Sequence, residues 1–175
     1  MTTALFPGTF DPFTNGHLDI VQRASGLFDQ LIIGVYAHPI KTLLFSCDER
    51  VALVKEAVRE LPNVRVESYD GLTVEFARTK GAQVLLRGLR VIADFELEFQ
   101  MALMNRALAA EIETVCLMTT YKYYFLSSSL VKEVAKLGGD ISTMVPPHVE
   151  AALKAKIKEL DEKGEDRIRI ISLRE

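Results

Sequence analysis

The chain has 175 residues, of which 49% are hydrophobic and 26% are charged, and this length and composition fit one domain with a sizeable core. Its net charge of −3 and pI of about 5.7 argue against non-specific nucleic-acid binding, which needs a basic surface to displace phosphate counterions. The N-terminus has no signal-peptide pattern, and no apolar run reaches the roughly 18 residues that span a bilayer. We therefore expect a cytoplasmic protein with neither nucleic-acid nor membrane partners.

Short apolar runs rich in β-branched residues alternate with longer stretches of helical periodicity, as in crossover units on a parallel sheet. The short runs predict strands over residues 2–6, 30–36, 63–68, 82–86 and 113–118. The periodic stretches predict helices over residues 16–28, 48–61, 72–80, 92–109, 127–137 and 147–162. This order predicts an α/β fold, a Rossmann-like, doubly wound, five-stranded parallel sheet with flanking helices in a single domain.

The C-terminal segment has a different composition from the rest of the chain. Residues 158–166, KELDEKGED, are typical of a frayed helix end, and RIRIISLRE at 167–175 alternates basic and apolar residues. We assign residues 1–157 to the domain and 158–175 to a helix end and tail. The last residues, 167–175, are expected to form a small edge strand or to stay disordered. Cys47 and Cys116 lack metal-ligand spacing and are predicted to be ordinary thiols.

The first predicted strand leads into PGTFDPFTNGH, at residues 7–17. Ligands of parallel sheets bind at the carboxyl ends of strands, so this loop lies at the expected ligand edge. His17 falls in the first turn of the next helix, beside amides that attract an anion. Two alternatives are open: His17 points at a bound phosphate, or Thr14 or Asn15 caps the helix and His17 is a half-buried turn residue. The GxGxxG and GxxxxGK[ST] fingerprints are absent.

Two arginines follow the fourth predicted strand in LLRGLR, again at the ligand edge. The guanidinium groups of Arg87 and Arg90 can hold phosphate oxygens in two-point contacts. Arg90, Asp94 and Glu98 are four residues apart and can share one helix face. For Asp94 an exposed charge ladder explains the spacing as well as a ligand contact does, whereas phosphate binding is favoured for the two arginines.

Three serines at 127–129 precede the helical segment LVKEVAKL. Their hydroxyls and the amides of the helix N-terminus offer a second anion site. One serine is expected to cap the helix, but three in succession exceed what capping needs, and this favours a triphosphate contact. Just before them, Tyr123, Tyr124 and Phe125 can offer an aromatic face to a purine or can belong to a core or an interface.

These stretches together resemble a known enzyme family. TNGH at 14–17 matches the (T/H)xGH motif of the nucleotidylyltransferase superfamily, and PGTFDPFTNGH is similar to the opening of bacterial phosphopantetheine adenylyltransferases. The resemblance continues in RGLRVIADFELEFQMALMNR at 87–106, in FLSSSLVKEV at 125–134 and in Lys41 after the second strand. It covers about residues 2–157 and implies a nucleotidylyltransferase domain over 1–157.

The resemblance implies transfer of the adenylyl group of ATP to 4′-phosphopantetheine, giving dephospho-coenzyme A and pyrophosphate in coenzyme A biosynthesis. It also implies Mg²⁺, for which we name no protein ligand, and a homohexamer built from trimers. The residues that it matches to catalysis are His17, Lys41 and Arg90, of which His17 stabilises the transition state. Those that it matches to ATP binding are Thr9, Phe10, His17, Gly88, Leu89, Arg90, Glu98, Tyr123, Tyr124, Phe125, Leu126, Ser127, Ser128 and Ser129. Those that it matches to phosphopantetheine binding are Thr9, Lys41, Leu72, Thr73 and Arg87.

Two other functions stay open at this stage. A sister cytidylyl- or adenylyltransferase acting on glycerol phosphate or a nicotinamide mononucleotide would share the motif but need a different acceptor pocket. A non-catalytic nucleotide or coenzyme A sensor would keep the fold. A sensor is expected to have a damaged reaction centre, whereas Thr14, His17, Lys41, Arg87 and Arg90 are all present.

Overall fold

The structure is a computed structural model that describes residues 1–40, 42–165 and 168, with only the backbone described at 92 and 93. Lys41 lies outside the described residues, and so does the predicted tail strand at 167–175 except for Ile168.

Five parallel strands form one sheet in the order β3-β2-β1-β4-β5, so the strand order reverses beside β1. This confirms the predicted doubly wound α/β fold. Each strand lies within three residues of its predicted bounds. The strands are β1 (Thr3–Gly8), β2 (Gln30–Tyr36), β3 (Val64–Tyr69), β4 (Val84–Leu89) and β5 (Glu113–Met118).

All six predicted helices are present. A short 3-10 turn, Tyr121–Tyr123, is an additional element between β5 and the fifth helix. The first two end three and four residues earlier than predicted. Gly26 caps the first, and the second turns at Val58 before the chain enters β3. The helices are α1 (Asn15–Ser25), α2 (Cys47–Ala57), α3 (Thr73–Thr79), α4 (Ile92–Leu108), α5 (Ser128–Lys136) and α6 (Pro147–Lys163).

Alternating residues of the central strands pack on opposite faces of the sheet, as the two-residue period of a strand requires. Phe6 and Ile33 belong to the core on the side of α1 and α2, while Leu5 and Ile32 pack on the other side with α3. Val51 and Val54 of α2, and Val58 and Leu61 just after it, recur at three- and four-residue steps and pack on the first of these cores, so this apolar stripe faces the sheet.

A separate apolar cluster joins α5 and α6 to the segment before α2. Val131 of α5 and Leu153 of α6 are fully buried in it, together with Leu44. The helix α6 continues past residue 157, and Leu160 is buried in the same cluster. The division of the chain at 157 therefore falls within a helix, and it stays a prediction. Within the described ranges, no helix is long and apolar enough to cross a membrane.

Candidate active site

A cavity of about 340 Å³ opens at the carboxyl ends of β1 and β4, where the strand order reverses. Such reversal points leave a crevice between helices on opposite faces of the sheet, and this is where the sequence predicts a ligand. The walls are the first loop, the start of α1, the segment between β4 and α4, and the start of α5. The predicted ATP residues on these walls are Thr9, Phe10, His17, Gly88, Arg90, Glu98, Leu126, Ser127, Ser128 and Ser129.

His17 belongs both to the capping box of α1 and to the wall of the cavity. Thr14 therefore caps the helix, as one of the two alternatives predicts, while contact between His17 and a phosphate stays a prediction. Thr14 is the N-cap of α1, and its hydroxyl accepts a hydrogen bond from the His17 backbone at 3.3 Å. In return, the Thr14 backbone N–H donates to Nδ1 of His17 at 3.0 Å. An Nδ1 that accepts this bond carries no proton, so the neutral ring is protonated at Nε2. The capping box thereby sets the tautomer of a histidine on the cavity wall.

Three phenylalanine rings surround the His17 imidazole and fix its plane. The ring centroids of Phe10, Phe13 and Phe6 lie 5.2, 5.4 and 6.5 Å from that of His17. Phe10 has a φ of +51°, a conformation that residues other than glycine adopt rarely. Its ring occupies the space beside Gly8, since a Cβ at Gly8 would stand 2.6 Å from Cζ of Phe10.

Arg87 and Arg90 both line the cavity, and each is paired with a carboxylate of α4. Nε and Nη2 of Arg87 donate to the two oxygens of Glu98 at 2.7 and 2.6 Å. Nε and Nη2 of Arg90 donate to Asp94 at 3.0 and 3.2 Å. Of the three residues predicted to share one helix face, Asp94 and Glu98 lie on α4 and both line the cavity, whereas Arg90 precedes the helix, so the prediction is wrong for Arg90. The carboxylate of Glu98 instead forms an ion pair with Arg87.

The two guanidinium groups also brace the backbone around the cavity. Nη1 of Arg87 donates to the carbonyl of Pro7 at 2.8 Å, and Nη1 of Arg90 donates to that of Leu126 at 2.7 Å. Arg87 therefore ties β4 to β1, and Arg90 ties the segment before α4 to the segment before α5. A phosphate bound by either arginine would therefore contact a guanidinium group whose orientation these hydrogen bonds already fix.

Two of the three serines have structural partners. Ser127 is the expected cap, since its hydroxyl accepts a hydrogen bond from the backbone of Leu130 at 3.1 Å. The hydroxyl of Ser128 donates to the carbonyl of Pro12 at 2.8 Å and so joins α5 to the first loop. The hydrogen bond of Ser128 to the first loop therefore explains a second serine structurally, which the sequence alone did not indicate. The first amides of α5 still have no acceptor within the helix, as at any helix N-terminus.

Four predicted ATP residues are not part of the cavity wall as the structure shapes it. Leu89 ends β4, and Tyr123 packs partly on the α5–α6 cluster. Tyr124 and Phe125 are 44% and 49% exposed and meet edge to face, with ring centroids 5.8 Å apart. Contact between these four residues and a nucleotide stays a prediction.

A second cavity, of about 530 Å³, adjoins the first. Four of the predicted phosphopantetheine residues line it, namely Thr9, Leu72, Thr73 and Arg87, whereas Lys41 lies outside the described residues. The residues that border both cavities are Pro7, Gly8, Thr9, Arg87 and Glu98. The two spaces therefore meet at the end of β1 and at the Arg87–Glu98 pair.

Sequence reasoning missed two tyrosines of the second cavity. Tyr36 and Tyr69 end neighbouring strands, are opposite each other in register, and have ring centroids 5.3 Å apart. Burial raises the pKa of Tyr69, so its phenol stays neutral at physiological pH, and it forms a 2.9 Å hydrogen bond with the Thr73 hydroxyl. Their position at strand ends is a signal that could have found them. Met101 and Asn105 of α4 also line this cavity, with no local signal.

The acidic side chains of the first cavity are each paired with a cation. Asp94 and Glu98 pair with the two arginines, and Asp11 pairs with Lys132. Among the residues that the structure describes, no group of three or more His, Cys, Asp or Glu side chains could hold a metal ion.

Cys116 lies on β5 opposite Arg87 of β4. Burial, and after it the charge of Glu98, raises the pKa of the Cys116 thiol above its ordinary value. A thiol with a raised pKa is protonated near neutral pH, which agrees with the prediction of an ordinary thiol.

Comparison with known proteins assigns the chain to a family. Residues 5–134 match the cytidylyltransferase-like family. A phosphopantetheine adenylyltransferase of Thermomicrobium roseum is 55% identical over 160 residues, which cover 90% of this chain and 96% of that protein. The chain belongs to the phosphopantetheine adenylyltransferase family. The family resemblance drawn from TNGH and the later stretches is thereby confirmed.

Other comparisons agree with this assignment. A phosphopantetheine adenylyltransferase of Methylococcus capsulatus is 56% identical over 154 residues, which cover 88% of this chain and 95% of that protein. A crystal structure of a candidate nicotinate-nucleotide adenylyltransferase from Vibrio parahaemolyticus matches with a TM-score of 0.63 and 18% identity, over 87% of this chain and 99% of that one. At this identity the structural match supports the fold alone.

The close approach of Gly8 to Phe10 predicts that Gly8→Ala is destabilising. The added Cβ must displace a buried ring, and we expect the free energy of unfolding to fall by about 1–3 kcal/mol in urea denaturation. Gly26→Ala is the matched control, because its Cβ would meet nothing closer than 3.6 Å. That variant should be unchanged or more stable by less than about 1 kcal/mol. Equal stability of the two variants would contradict the packing described for Phe10.

Proposed function

We propose that this member of the phosphopantetheine adenylyltransferase family transfers the adenylyl group of ATP to the phosphate of 4′-phosphopantetheine. The products are dephospho-coenzyme A and pyrophosphate, so the reaction belongs to coenzyme A biosynthesis. The observation that carries the proposal is the meeting of two cavities at Thr9, Arg87 and Glu98. A transfer between two phosphorylated ligands needs two binding spaces with a common border.

The reaction that we propose needs no nucleophilic side chain. An oxygen of the acceptor phosphate attacks the α-phosphorus of ATP, the bond from that phosphorus to the bridging oxygen breaks, and pyrophosphate leaves with that oxygen. The protein contributes positioning and charge stabilisation. In our assignment, Nε2–H of His17 donates to the α-phosphate oxygens as negative charge accumulates on them. The bond from Thr14 to Nδ1 keeps that donor in the correct tautomer.

The remaining roles follow from position. We assign the β- and γ-phosphates to Arg90 and the N-terminus of α5, because both lie on the wall of the first cavity. We assign the acceptor phosphate to Arg87, which borders both cavities, and to Lys41 through the family resemblance. The pantetheine arm would extend past Leu72 and Thr73 in the second cavity.

The Mg²⁺ that we infer enters as part of the Mg–ATP substrate. The described residues contain no group of three or more His, Cys, Asp or Glu side chains that could hold a metal ion, and the carboxylates of the first cavity are paired with cations. Phosphate oxygens and water are therefore the ligands that we propose for the ion. When bound, Mg²⁺ offsets the negative charge of the triphosphate and of the departing pyrophosphate.

We further propose that the protein is a cytoplasmic homohexamer. Helix α4 exposes many large apolar side chains, and the rings of Phe95 and Phe99 stack on each other at 5.9 Å on this surface. Exposed apolar patches of this kind mark interaction sites, and association with further copies of the chain would cover them. Among the described side chains of α4, the exposed large apolar ones are Phe95, Leu97, Phe99, Met101, Leu103, Met104 and Leu108.

Pyrophosphate release from purified protein with Mg–ATP, with and without 4′-phosphopantetheine, tests the function. We expect release that depends on the acceptor and a product heavier than the acceptor by one adenylyl unit, identified by mass spectrometry. Binding of both ligands without release would instead indicate a sensor. Failure to bind 4′-phosphopantetheine would indicate a sister transferase and would direct the search to other phosphate acceptors.

His17→Ala is expected to lower kcat by about 100- to 1,000-fold, because it removes one donor to the developing charge. The dissociation constant for ATP should change little, since the nucleotide keeps its other contacts. His148→Ala is the matched control: this ring bonds the carbonyl of Leu53, between α2 and α6, away from the cavity. Near-normal kcat in His17→Ala would remove His17 from the mechanism.

Arg87→Gln is expected to raise the KM for 4′-phosphopantetheine by about 10- to 100-fold, the effect of losing a hydrogen bond to a charged group. The KM for ATP should change by a much smaller factor. Arg106→Gln serves as the control, because Arg106 pairs with Glu113 on the surface and lines neither cavity. An equal effect of Arg87→Gln on both KM values would contradict the assignment of Arg87 to the acceptor.

A further inference from the structure

A buried ion pair adjoins the first cavity. Asp11 is 2% exposed, and one of its carboxylate oxygens accepts a hydrogen bond from Nζ of Lys132 at 2.7 Å. The Lys132 side chain is 14% exposed. Asp11 lines the cavity, whereas Lys132, on α5, does not. The lysine therefore pairs with the carboxylate without itself lining the space that we assign to ATP.

The Asp11 carboxylate connects three segments of the chain. Its two oxygens also accept hydrogen bonds from the backbone N–H groups of Leu44 and Phe45, at 3.0 and 2.9 Å. The first loop, the segment before α2, and α5 are thus held by one side chain. A carboxylate with these partners has no orientational freedom.

Lys132 makes one of the two side-chain hydrogen bonds that, among the described residues, join α5 to the first loop. Ser128, one helical turn earlier, donates its hydroxyl to the carbonyl of Pro12. Residues four apart on a helix lie on one face, so a single face of α5 is attached to residues 11 and 12. The amides at the start of α5, which we assign to the β- and γ-phosphates, are placed by these two contacts.

The pair also has an electrostatic consequence for an anionic ligand. An uncompensated carboxylate on the wall would repel a triphosphate, and such repulsion is strong in a partly buried site. Lys132 neutralises that charge while remaining outside the cavity itself.

We propose that Lys132 is a positioning residue for ATP that acts through Asp11. It neutralises Asp11 toward the triphosphate and holds the N-terminus of α5 against the first loop. The inference rests on the proposed function in placing ATP in the first cavity. Lys132 would then affect the affinity for ATP without contacting the nucleotide.

A double-mutant cycle on this pair tests the proposal. The four proteins are the unmodified chain, Lys132→Met, Asp11→Asn, and the double variant, and the dissociation constant for Mg–ATP is measured by calorimetry without acceptor. We expect Lys132→Met to weaken ATP binding by about 10- to 100-fold, because it leaves a bare carboxylate and a displaced helix end. In the Asp11→Asn background, which has no charge to neutralise, the same change should weaken binding by less than about threefold.

A control on the same helix separates this effect from general damage. Lys136 lies one turn further along α5 and pairs with Asp161 of α6, away from the cavity. Lys136→Met should leave ATP affinity unchanged. Lys132→Arg, which keeps the cation, should bind ATP within about threefold of the unmodified protein. Circular dichroism of every variant checks that each protein is folded before its ATP affinity is compared. If Lys132→Met does not fold, Lys132→Arg provides the test.

Three results would overturn the proposal. The first is equal weakening by Lys132→Met in both backgrounds, since Lys132 would then bind the phosphates directly. The second is ATP affinity in Lys132→Met equal to that of Lys136→Met. The third is substantially weakened ATP binding in a folded Lys132→Arg protein. ATP binding by the unmodified chain without acceptor-dependent pyrophosphate release would refute the proposed function alone, whereas absence of ATP binding would refute both.

Discussion

The site depends on the position of β1, which pairs in parallel with β2 along one edge and with β4 along the other. Because the order of the strands reverses here, the connections leave the sheet on both faces and open a crevice at the carboxyl ends. The loop after β1 enters this crevice, and the segment after β4 forms the opposite wall. His17, Arg87 and Arg90 are thereby brought to one cavity, although 70 residues of chain separate the histidine from the first arginine.

Two buried charged side chains hold the first loop in this position. Arg50 is fully buried and donates to the carbonyls of Thr9, Tyr36 and Ala37, at the ends of β1 and β2. Asp11, by contrast, accepts hydrogen bonds, from the backbone N–H groups of Leu44 and Phe45 and from Lys132. Burying charge is costly, and in some proteins the buried group specifies one geometry. In this fold the geometry obtained is that of a loop that borders both cavities.

Helix α4 links ligand binding to the rest of the molecule. Its carboxylates pair with the guanidinium groups of Arg87 and Arg90, and its middle turns line the second cavity. From Phe95 onward, its large apolar side chains are exposed. A phosphate that binds Arg87 must compete with or share the contact to Glu98. Any association of copies of the chain through α4 would therefore lie close to the border between the two cavities.

The sequence by itself determined the strands, the helices, their order and the TNGH motif, because periodicity, caps and the positions of turns are local properties. It also placed His17, Arg87, Arg90 and the serines at the ligand edge, since that follows from the parallel sheet. Only the tertiary structure decided how their side chains are used. Glu98 pairs with Arg87, Ser128 bonds to Pro12, and Asp11 meets Lys132 across 121 residues. Contacts of this kind depend on how helices pack against the sheet, and no local pattern in the chain encodes that packing.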